Sequence, residues 1–114
     1  MPHITIVNRR DGEHRGATYC GRPSPLGNPF RITQNRDRDA SIKAYRALLT
    51  VIMSEFPSAR SNKHRETYEA LQDLIQQYED GNDLVLECWC APRPCHCEVI
   101  KEVILERCKE QYVD

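Results

Sequence analysis

The chain has 114 residues, enough for one domain and for a core that forms without disulfides or metal. Apolar residues at 39%, charged residues at 29% and a net charge of −1 exclude a disordered chain and give no global attraction to nucleic acid or an anionic membrane. No apolar run approaches the roughly 20 residues that span a bilayer, and MPHITIVNRR lacks the apolar stretch of a signal peptide, so the expectation is a cytoplasmic protein with no membrane partner and reduced cysteines.

Ile4 to Asn8 are β-branched and weakly alternating, and they predict a strand; Asp11-Gly12 marks a turn. Arg9, Arg10, Arg15, Arg22, Arg31, Arg36 and Arg38 crowd the first third, which suits contact with something anionic. Ala17 to Gly21 predict a short second strand. GRPSPLGNPF, residues 21–30, holds three prolines and two glycines and excludes regular structure. From an Asp39 cap, Ile42, Tyr45, Leu48, Leu49, Ile52 and Met53 recur at helical spacing until Pro57. Ser61 or Asn62 caps a second helix carrying Tyr68, Leu71, Leu74, Ile75 and Tyr78, with Gly81 as its stop. Leu84 to Cys90 predict a central strand, and a last helix from about Pro94 carries Val99, Ile100, Val103, Ile104 and Cys108. The expected fold is one α/β domain over residues 1–114, a small, three-layer-like build. Its sheet has few strands, is at least partly parallel, and is covered by three helices.

Two segments can carry chemistry. In GRPSPLGNPF, Gly21 and Gly27 permit close backbone approach or positive φ, and Pro23, Pro25 and Pro29 stiffen the loop. Arg22 can clamp a phosphate or carboxylate, and Ser24 and Asn28 add neutral donors. The bland alternative is a rigid surface loop packed by Leu26 and Phe30.

In CWCAPRPCHC, residues 88–97, Cys88 and Cys90 share one face of the strand, with Trp89 turned toward the core. Cys95, His96 and Cys97 open the last helix, whose N-terminus favours an anion. Three readings stand side by side. Cys88, Cys90, Cys95 and His96 supply four ligands for a metal such as zinc, at an unusual spacing. Cys95 is a nucleophile or redox thiol with His96 or His14 handling the proton. Or small thiols simply pack a tight turn. Cys97 reads as incidental, and Cys20 and Cys108 as core or neighbouring residues.

Together the two blocks resemble a family of small bacterial and phage proteins known as domain of unknown function 4326. The resemblance is carried by Gly21, Arg22, Ser24, Gly27, Asn28, Pro29 and Phe30, by Tyr45, and by Cys88, Trp89, Cys90, Pro92, Pro94, Cys95 and His96. Cys97 departs from it, where glycine is the family's residue. The resemblance implies one site shared by both blocks and assigns no activity. The combined expectation is a composite site for a nucleotide-like or other anionic ligand, with group transfer or hydrolysis through Cys95 and His96. The alternative is a zinc- or thiol-braced binding module, in one version of phage origin, for a nucleotide, nucleic acid or host protein.

Overall fold

The structure, a computed structural model, describes residues 2–12, 14–91 and 93–111. Pro92, one of the residues carrying the resemblance, lies outside them. Three parallel strands form the sheet: β1 (Ile4–Asn8), β2 (Thr18–Tyr19) and β3 (Leu84–Cys88), in the order β1-β3-β2. The helices are α1 (Arg38–Ser54), α2 (Asn62–Glu79) and α3 (Cys97–Gln111).

Local chemistry sets most boundaries. Asp37, two residues before the expected cap, accepts from the Ala40 N–H at 2.8 Å, which leaves Asp39 in the first turn facing the positive helix end. Ser61 caps α2 through the His64 N–H at 3.1 Å. Gly81, at φ 91°, ends it: its N–H reaches the Tyr78 carbonyl and the Asn82 N–H reaches Gln77. β2 is shorter than expected, although the Cys20 N–H still donates to the Glu87 carbonyl at 2.8 Å. β3 ends at Cys88 rather than Cys90, and α3 begins at Cys97 rather than near Pro94, where the His96 carbonyl accepts the first helical N–H bonds.

The pleat of β3 decides what lies where. Leu84, Leu86 and Cys88 point to one face, where the buried stripes of all three helices join them in a single core. Val85, Glu87 and Trp89 point to the other. There the β1–β2 connection crosses the sheet and lays Arg9 3.3 Å and His14 3.5 Å from the buried Glu87 carboxylate. The expected three-layer-like build is therefore a helical layer, a sheet and one crossing loop. Among the described residues, no helix is long and apolar enough to cross a membrane.

Candidate functional site at the strand ends

Because β2 and β3 are parallel neighbours, the loop after one and the turn after the other emerge from the same sheet edge. The loop 21–30 is tied down from several sides. The Tyr45 hydroxyl donates to the Leu26 carbonyl at 2.7 Å, and Thr67 Oγ1 donates to Pro25 at 2.7 Å. Asn28 spends its amide on Ser41 and its carbonyl on the Phe30 N–H, so it braces the loop rather than offering a free donor. Neither Gly21 nor Gly27 has positive φ; both are needed for space. A Cβ on Gly21 would stand 2.6 Å from Tyr19 Cζ, and one on Gly27 3.0 Å from the Arg22 backbone. At both positions the chain itself makes the close approach.

The turn after β3 is pinned by Asn8, whose Nδ2 donates to the Ala91 carbonyl at 2.6 Å. His96 then ties the two blocks together, since its Nε2 lies 2.6 Å from the Cys20 carbonyl. A carbonyl only accepts, so Nε2 carries the proton and Nδ1 is left as acceptor, 3.4 Å from Cys95 Sγ. Burial lowers the pKa of this imidazole. Its ring meets the edge of Tyr45 at 5.1 Å.

The buried sulfurs of Cys88, Cys95 and Cys97 lie within 4.8 Å of one another and could hold a metal. Cys97, set aside in the sequence, is a full member of this group, whereas Cys90 and His96 are not. The pKa of Cys88 is lowered, first by hydrogen bonding with the thiols of Cys95 and Cys97, against the opposing effect of burial, and further by the N–H groups of Cys90 and Ala91. Cys95 is pushed up, first by that bond to Cys88 and also by burial. Cys97 is pushed up by its bonds to Cys20, Cys88 and Cys95 and by burial. The expected dipole-activated Cys95 thiolate differs from this geometry because Cys95 precedes α3 and serves as a donor to Cys88.

A cleft of about 240 Å³ opens over this floor. Gly21, Arg22 and Asn28 from the first block line it together with Cys88, Cys90, Cys95 and His96 from the second. Ser24 and Gly27 instead line a neighbouring hollow of about 550 Å³ with Lys63 and His64. His14 lines neither; it sits beside Glu87 on the other sheet face. Tyr19, Trp89 and Arg38 also line the cleft. Trp89 is 49% exposed rather than core, and its Nε1 donates to the hydroxyl of Tyr19 at 3.1 Å. Arg38, at the start of α1, donates to the Pro94 carbonyl at 3.2 Å. Strand alternation alone could have found Trp89, since a neighbour of an inward Cys88 must face outward.

A family model described as Domain of unknown function (DUF4326) matches residues 6–106. Neither a curated protein nor a solved structure matches the chain.

Proposed function

The chain belongs to this family of domains of unknown function, and from that premise we propose that it binds a small anionic ligand carrying an aromatic ring, a nucleotide in the simplest case, in the cleft between the two blocks. The observation that carries this is the lining itself. Two guanidiniums, Arg22 and Arg38, stand among Tyr19, Phe30 and Trp89, and among the described residues no carboxylate lines the cleft. No ion pair among the described residues engages either arginine. Guanidiniums clamp phosphate or carboxylate oxygens through paired hydrogen bonds, and exposed aromatic rings stack on a base. The volume sits just below the low end, roughly 300 Å³, of small-molecule sites, which fits one mononucleotide better than a dinucleotide.

The Cys95–His96 pair favours a second, enzymatic reading: group transfer or hydrolysis at a thiol, with the imidazole taking its proton. The environment works against the charged pair that this transfer would create. The bond to Cys88, with burial, holds Cys95 toward the thiol, and burial disfavours an imidazolium at His96, so binding is the better supported role, with the cysteines as a thiol or zinc brace beneath the cleft. A protein of the host cytoplasm that recognises a nucleotide fits this chemistry, and net charge near zero disfavours sequence-independent binding to nucleic acid.

Trp89 is the chain's single tryptophan and faces the cleft, so its emission reports occupancy directly. Titration with adenosine and guanosine monophosphates should quench or shift it, while the bare nucleosides should bind more weakly. Arg22→Ala should weaken mononucleotide binding by about tenfold or more, as expected for a lost charge-assisted hydrogen bond of ~1.5–3 kcal/mol. Its melting temperature should barely change, because among the described residues only the Arg22 backbone, not its side chain, is hydrogen-bonded within the fold. Arg22→Lys should restore part of the affinity. Emission unmoved by any mononucleotide at millimolar concentration, or binding indifferent to Arg22→Ala, would remove this reading.

A further inference from the structure

We propose that Cys88, Cys95 and Cys97, with Nδ1 of His96 as the fourth donor, hold a structural zinc ion beneath the cleft. The proposal rests on the brace reading of the cysteines and fixes its ligand set; it is independent of what the cleft binds. The three sulfurs are buried and lie within 4.8 Å of one another. A tetrahedral zinc with Zn–S bonds of about 2.3 Å and a Zn–N bond of about 2.0 Å needs S–S edges of roughly 3.8 Å and S–N edges of roughly 3.5 Å. The sulfur group is near that size. His96 Nδ1 stands 3.4 Å from Cys95 Sγ, the length of one S–N edge. It lies at the rim of the sulfur group rather than inside it, so closure takes side-chain rotations about an ion that draws all four donors together.

The imidazole is placed as a ligand would be. Its Nε2–H donates to the Cys20 carbonyl at 2.6 Å and its ring meets Tyr45 edge-on, which leaves the Nδ1 lone pair beside Cys95. A metal-bound histidine commonly donates its other N–H to a backbone carbonyl in this way, which fixes tautomer and ring orientation. The nearby cysteines outside the set are directed elsewhere. Cys20 turns its thiol to the Thr18 carbonyl at 3.4 Å. Cys90 is half-exposed, and its backbone N–H, rather than its sulfur, meets the group, donating to Cys88 Sγ at 3.4 Å. Three thiolates and an imidazole, with no carboxylate, select zinc over calcium or magnesium. All six cysteines are free, so no disulfide competes for these sulfurs. A zinc held here makes Cys95 and His96 structural and removes them from thiol catalysis.

Elemental analysis of protein purified without added metal should find about one zinc per chain. X-ray absorption at the zinc edge of the unaltered protein then counts the ligands. Three sulfurs with the scattering of one imidazole support the set; four sulfurs, two sulfurs, or no imidazole scattering overturn it. Replacement by cobalt(II) should give the intense visible absorption of a tetrahedral thiolate complex. Cys97→Ser should weaken its sulfur-to-metal bands and His96→Ala should shift its visible bands, whereas Cys20→Ser and Cys90→Ser should leave both in place. Loss of the spectrum in Cys20→Ser or Cys90→Ser with retention in Cys97→Ser would overturn the assignment. Should a variant fail to fold, the ligand count on the unaltered protein still decides. Folded protein that takes up neither zinc nor cobalt would overturn the site as well. Trp89 emission reads nucleotide binding separately, so zinc without nucleotide binding, or the reverse, shows which of the two readings has failed.

Discussion

Tyr45 shows how one side chain can hold a site it does not enter. Its hydroxyl is the only polar atom of a fully buried ring, and it is spent on the Leu26 carbonyl, while the ring packs against His96. Tyr45→Phe keeps the packing and strands that carbonyl in the core. The expected cost is about 1–3 kcal/mol, read as a lower denaturation midpoint with unchanged slope. A cost near zero would mean that the loop 21–30 is held by Asn28 and Thr67 without it. At this scale residue type was a good guide to importance and a poor guide to role. Asn28 has the look of a ligand donor and also braces the loop. Trp89 has the look of core and is cleft wall. Cys97 has the look of a bystander and is inside the thiol cluster. For Trp89 and Cys97 the deciding quantity was direction, which depends on where β3 stops and α3 begins.

Among elements, the helices were the most readable, because a stripe at 3.6-residue spacing and a capping side chain are local facts. Gly81 is the clearest instance: a stop placed by residue type alone takes a positive φ and closes α2 with two backbone bonds. Gly81→Ala should therefore destabilise the protein by more than about 1 kcal/mol even though open space surrounds the position, since the strain is in the backbone and not in packing. Thermal unfolding of the variant checks this, and an unchanged midpoint would show that the turn relaxes freely. The short strands were less readable. β2 has two residues, and what makes it a strand is pairing with β3, some seventy positions away. Likewise α3 begins late because Cys95 and His96 are engaged with Cys88 and Cys20, partners that no local propensity encodes.

The molecule as a whole has one core, in which Leu84 and Leu86 of the central strand are buried together with residues of all three helices. Leu86→Ala, at a fully buried position, should cost about 2–5 kcal/mol, and helix circular dichroism and Trp89 emission should be lost in one shared transition. Separate transitions would mean that the cleft edge unfolds independently of the helices. The sequence by itself determined the α/β class, the three helices with the stops of the first two, the two chemistry-bearing blocks and the family. All of these rest on composition, on periodicity and on residues close together in the chain. Only the tertiary structure decided which residues share a surface. The parallel pairing of β2 with β3 brought both blocks to one edge, and the pleat of β3 separated Cys88 from Trp89 and Glu87. The same packing sent His14 to the far face and drew Cys97 toward Cys88 and Cys95. The reason is physical: strand pairing and side-chain direction are set by contacts between distant segments, and one residue of register reverses every direction on a strand.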